Sequence, residues 1–100
     1  MMAEHYASGT WNVRPGCEQD FVERWIEFLQ WTRKDYPSML AATLIRDRRV
    51  PGHYLSFAEW ADEQSRAAWR AAPEFRARLG ACRALCDDML GADYDRVATV

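Results

Sequence analysis

Between His53 and Trp60 the chain reads His-Tyr-Leu-Ser-Phe-Ala-Glu-Trp, and it then runs directly into a segment carrying Trp69 and Pro73-Glu74-Phe75. The octet has the alternation and the aromatic content of a β-strand, and its continuation has the spacing of a helix, so the fold must place large rings at one end of a sheet. On a strand, Tyr54, Ser56, Ala58 and Trp60 share one face and His53, Leu55, Phe57 and Glu59 the other. Both sets contain bulky apolar groups, unlike a strand with one solvated face. The expectation is that Leu55 and Phe57 pack against helices while the Tyr54 set lines a second enclosed space, the candidate site.

The rest of the chain supplies partners for that strand. Tyr6 to Arg14 reads as a first strand, ended by Pro15-Gly16. From Cys17, the residues Phe21, Trp25, Phe28, Leu29 and Thr32 recur at helical spacing, predicting an amphipathic helix of about five turns that stops at Tyr36-Pro37-Ser38. Met39 to Asp47 is a second strand, joined through Arg48 to Gly52 to the aromatic strand as a hairpin. Asp62 caps a helix through Ala72, and Pro73 begins a further helical segment. Its stripe is Phe75, Leu79, Cys82, Leu85, Cys86 and Met89, Gly91 closes it, and Tyr94 to Val100 is a last strand. The order is β-α-β-β-α-β, the ferredoxin-like α+β arrangement with an antiparallel sheet and helices on one face. At 100 residues the whole chain, 1–100, is expected to be a single domain. A sheet face left open and rich in rings calls for a cover, and a homodimer is expected.

Composition narrows the partners. The net charge is -2 and the basic residues are dispersed, which argues against nucleic acid and against an anionic membrane surface. The element order also builds the RNA recognition motif, and Gly52-His53-Tyr54-Leu55-Ser56-Phe57 is a faint echo of its aromatic strand. Pro51, however, stands where a basic residue is expected. No apolar run approaches the roughly 20 residues of a membrane span, and Met1-Met2-Ala3-Glu4-His5 lacks the features of a signal peptide, so a cytoplasmic protein is expected. His5 is assigned to a frayed end. Cys17, Cys82 and Cys86 show no paired spacing and fit reduced thiols, with no metal site expected.

Gly9-Thr10-Trp11, Arg14-Pro15-Gly16, Phe21 with Trp25, Leu44-Ile45-Arg46-Asp47, Leu55-Ser56-Phe57 followed by Trp60, and Ala68-Trp69-Arg70 with Pro73-Glu74-Phe75 recur in one order along nearly the whole chain. Together they resemble the antibiotic biosynthesis monooxygenase family. The resemblance implies a dimeric α+β barrel with a pocket in each subunit between sheet and helices. It also implies one of several chemistries: oxygenation of anthrone-like or quinol aromatics without a cofactor, haem degradation, or isomerisation of small ketones. In the polyketide oxygenases the third strand carries an Asn, then a Trp, then a Tyr. Here Trp60 keeps the Trp, while Ser56 and Arg66 stand at the other two positions. The haem degraders combine an Asn, a Trp and a His, of which this chain has Trp69 alone, with Gly9 and Leu79 in place of the others. Many quinol-type and isomerase relatives have a His at the Trp69 position.

Cofactor-free oxygenation needs a substrate that loses a proton to become electron-rich, and a pocket that excludes water and stabilises negative charge. Trp60, Ser56 and Trp69 are the candidate catalytic residues as hydrogen-bond donors, and Tyr54, Trp11, Gly9, Arg46 and Arg66 the candidate substrate-binding residues. Tyr6, Tyr54 and His53 are the possible bases. The leading expectation is a cofactor-independent monooxygenase acting with dioxygen on a small hydrophobic aromatic substrate. The alternatives are a non-catalytic barrel that shelters an aromatic ligand, and a cofactor-free isomerase or cyclase of the same fold.

Overall fold

The structure, a computed structural model, describes residues 3–100; Met1 and Met2, the start of the segment read as lacking a leader, lie outside them. Its elements are β1 (His5–Val13), α1 (Glu18–Asp35), β2 (Met39–Arg46), β3 (His53–Trp60), α2 (Glu63–Ala71), α3 (Pro73–Arg83) and β4 (Cys86–Asp95). The four strands form one antiparallel sheet in the order β2-β3-β1-β4. Its central pair is set by Gly9 opposite Ser56 and Trp11 opposite Tyr54. His5 opens β1 opposite Trp60 and accepts a place beside Asp95 at 3.1 Å, so it is not part of a frayed end.

Each helix boundary has a local cause. Gly16, at φ 89°, turns the chain into α1, and its N–H donates to Glu18 at 2.7 Å. At the other end Tyr36 has left the helical region, as a residue before proline favours. The buried stripe of α1 is Phe21, Trp25, Phe28, Leu29 and Thr32, the set the spacing predicts, with Cys17 half-buried at its start. The Asp62 carboxylate accepts the Ser65 N–H at 2.7 Å and caps α2. Ala72 is extended at ψ 137° because Pro73 follows, which divides the second helical region into α2 and α3.

Two expectations are corrected. The last helix ends at Arg83 instead of running to Gly91, and the last strand begins at Cys86 instead of Tyr94; beyond Asp95 the chain is irregular. Cys86, Met89 and Gly91 therefore lie on β4, with Gly91 opposite Gly9 and Met89 opposite Trp11. Pairing with the edge of β1 supplies the backbone partners that decide this segment, overriding its helical spacing. Cys82 and Cys86 are consequently on different elements, with the Cys86 thiol 3.4 Å from the Cys82 carbonyl.

The second correction concerns the faces of β3. Tyr54, Ser56, Ala58 and Trp60 face the helices and are buried, while Leu55 and Phe57 lie on the uncovered side. On β1 the buried set is Ala7, Gly9, Trp11 and Val13, and cross-strand neighbours share a face, so the register aligns them with the Tyr54 set. The core is one cluster joining this face to α1, Trp69 and Cys82. Among the described residues no helix is long and apolar enough to cross a membrane.

Candidate functional site

A cleft of about 250 Å³ opens between the middle of the sheet and the helices. It exists because the middle of the sheet lacks side-chain bulk. Ser56, Gly9 and Gly91 lie side by side across β3, β1 and β4, with Ala58 and Ala7 paired in the next helix-facing row. At the ends of the same face stand Trp11 with Tyr54, and Trp60. Helices held off by these large rings cannot descend onto the small residues, and the space between becomes the cleft. Trp25, Phe28 and Leu29 from α1, Trp69 from α2, and Phe75 with Leu79 from α3 form its other walls.

The polar group on the floor is the Ser56 hydroxyl. The Trp11 indole donates to it at 3.0 Å within the core, and among the described residues no acceptor is found for the Ser56 proton. Gly9 makes that pair sterically possible. A Cβ at position 9 would lie 2.7 Å from Trp11 Nε1, closer than such atoms approach, and 3.1 Å from Ser56 Oγ, a tight contact. Thus Trp11 occupies one Ser56 lone pair and leaves its O–H available to an acceptor in the cleft.

Trp69 contributes its ring and not its N–H. The indole donates to Thr32 Oγ1 at 2.8 Å, and Thr32 donates onward to the Phe28 carbonyl at 2.9 Å. The ring stacks on Phe28 at 5.8 Å and meets Phe75 edge-on at 4.6 Å, so three helices fix one aromatic wall. Trp60 lies behind it, with ring centroids 5.0 Å apart, fully buried and outside the cleft. Among the described residues its N–H is enclosed with no partner. Of the three candidate catalytic residues, Ser56 and Trp69 line the cleft, and Trp60 supports Trp69 from behind.

The candidate binding residues divide as well. Gly9 and Trp11 line the cleft. Tyr54 and Arg46 line a second one of about 310 Å³ beside the β2-β3 hairpin, together with Val13, Glu18, Pro51 and Gly52. Arg66 enters neither; its guanidinium is buried against the Tyr6 carbonyl at 3.1 Å and Glu63 at 3.2 Å. The possible bases are also elsewhere. Tyr6 is on the uncovered face, and His53 sits 3.0 Å from Asp47 at the hairpin. That contact, with the N–H groups of Arg49 and Val50, holds the Asp47 carboxyl down at about 2. No His, Asp, Glu, Tyr or Cys lines the cleft.

Two residues not anticipated from the sequence stand at the cleft, Arg70 and Arg83. Arg83 continues the face of α3 that begins with Phe75 and Leu79, four residues apart each time, which is the signal that places it. Arg70 follows Trp69, holds its guanidinium 5.8 Å from that ring's centre and donates to Asp93 of β4.

Thiol chemistry has no purchase here. Burial pushes Cys82 up to about 12 and Cys86 up to about 11, so both are neutral near pH 7. Among the described residues no cluster of His, Cys, Asp or Glu is arranged to hold a metal ion.

A sequence model described as antibiotic biosynthesis monooxygenase matches residues 5–79. Among solved structures, the chain is similar to SnoaB, a cofactor-independent oxygenase from Streptomyces nogalater, with 21% identity and a TM-score of 0.86 over 99% of this chain and 98% of that one. It is also similar to a conserved protein from Methanosarcina mazei Go1, with 16% identity and a TM-score of 0.83 over 96% and 95% of the two chains. No curated protein matches the chain significantly.

Proposed function

The chain belongs to the antibiotic biosynthesis monooxygenase family, and from that premise we propose that it is a cofactor-independent monooxygenase acting with dioxygen on a small aromatic substrate held in the cleft between sheet and helices. The observation that carries this reading is an aromatic-walled cleft whose floor presents the Ser56 hydroxyl with its proton uncommitted. In such a site an anthrone or quinol that has lost a proton passes an electron to dioxygen. For an anthrone, recombination at carbon gives a hydroperoxide, and loss of water leaves the quinone. Ser56 would donate to the oxygen on which negative charge develops, held in place by Trp11. The walls of Trp69, Phe28 and Phe75 would exclude water from the electron-rich ring. With no base in the cleft, the substrate's own acidity and solvent at the mouth must accomplish the deprotonation.

That last feature favours a second reading, a protein of the same fold that binds an aromatic ligand without turning it over. Oxygen consumption with an anthrone or hydroquinone, followed by mass spectrometry of the product, separates the two. The monooxygenase reading expects product that gains one oxygen atom from dioxygen and a rate indifferent to chelator and added flavin. Quenching of tryptophan emission without product across a broad panel would establish the binding reading instead.

The uncovered sheet face carries Leu90 at 71% exposure, Tyr94 at 57%, Ile45 at 47% and Leu55 at 38%. A face of this kind is covered in a stable protein, and a second copy of the chain is the proposed cover. Leu90→Asp should convert a dimer to a monomer in sedimentation analysis; an unchanged sedimentation coefficient would dispose of this interface.

A further inference from the structure

The cleft is apolar along its walls but not electrically neutral. Arg70 and Arg83 both line it, and no carboxylate does. Arg83 makes no ion pair among the described residues, although seven such pairs occur elsewhere. Arg70 shares Asp93 through one terminal nitrogen, which leaves its other terminal nitrogen without an ion pair among the described residues. Two arginines lining one apolar space, with no carboxylate among its lining residues, fit a planar anion that accepts from both.

We infer that the ligand of this cleft is an aromatic acid: a ring system bearing a carboxylate, with the rings between Trp69, Phe28 and the small-residue floor, and the carboxylate between Arg83 and Arg70. This deepens the proposed function and rests on the cleft being the substrate site. It also gives the two arginines a division of labour. Arg83 supplies an unshared charge at the end of α3, and Arg70, fixed by Asp93 over the face of Trp69, supplies a donor of set direction.

Binding calorimetry with 2-naphthoate and its neutral isostere 2-naphthamide tests this without requiring turnover. A charge-assisted pair should make naphthoate about tenfold or more tighter than naphthamide at low ionic strength. The advantage should shrink as salt is raised. Arg83→Gln should abolish most of that preference, weakening naphthoate far more than naphthamide, and Arg83→Lys should restore part of it. Arg83 is exposed, so the variants should retain the wild-type circular dichroism spectrum; if one does not, the comparison of the two probes on the unaltered protein decides. Equal affinities, or a preference untouched by Arg83→Gln, would overturn the inference and leave the cleft standing as an aromatic site. Absence of binding by either probe would overturn the cleft reading and the inference with it.

Discussion

The two clefts of this small protein are similar in volume and opposite in origin. The one between sheet and helices is created where Gly9, Ala7, Ser56, Ala58 and Gly91 leave the sheet bare between Trp11 and Trp60. The one beside the hairpin lies between the turns at Pro15 and at Pro51-Gly52, with the charged Glu18 and Arg46 among its lining residues. Its aromatic residue, Tyr54, is tied into the core through Phe21 at 5.2 Å. Volume alone does not distinguish a site from a recess. What distinguishes the first cleft is that its walls are held by contacts from several elements, while the polar atoms facing it are left with unused valence.

Filling the floor should have the largest effect. Gly9→Val would force Trp11 away from Ser56, destabilising the chain by about 1–3 kcal/mol in denaturant unfolding and eliminating aromatic-ligand binding. The same measurements on Ser56→Ala isolate the hydrogen bond. This change leaves the Trp11 N–H buried without an acceptor, so a loss of about 1–3 kcal/mol is expected together with weakened binding, the cleft remaining open.

A smaller effect is expected beside the second cleft, and it depends on pH. The folded chain holds Asp47 below its ordinary value of 3.8, at about 2. Its contribution to stability is therefore fully present above the ordinary value and is lost as pH falls through about 2. Asp47→Asn should remove that acid-range slope from the unfolding free energy while sparing ligand binding at neutral pH. The smallest effect is expected from Arg46→Ala combined with Tyr54→Phe. Ligand affinity should stay within about twofold, since neither residue lines the first cleft. A large loss in this double variant would exchange the roles of the two clefts.

The sequence made some of this legible and hid the rest for physical reasons. β3 and the buried stripe of α1 follow from alternation and from helical spacing, and the breaks at Pro37 and Pro73 follow from proline's effect on the preceding residue. The segment from Cys82 to Met89 obeys helical spacing as well, yet becomes strand after Leu85 because β1 needs a partner along its free edge. The two faces of β3 were indistinguishable by bulk, and only the small residues on β1 reveal which one meets the helices. Trp69, a candidate from the sequence, lines the cleft. Trp60, the other tryptophan candidate, lies behind Trp69 and outside the cleft, since burial behind another ring leaves no local mark in a sequence. Arg70 and Arg83 were missed because an arginine near a helix end reads as solvated until the Phe75-Leu79-Arg83 spacing is followed onto the cleft.

The most direct test is a crystal structure of the protein with a fused-ring aromatic carbonyl compound bound. The rings should lie against Trp69, Phe28 and Phe75, with the carbonyl oxygen within hydrogen-bond distance of Ser56 Oγ and Trp60 untouched. A ligand seated instead beside Tyr54 and Arg46, or an empty cleft between sheet and helices at saturating ligand, would contradict the assignment.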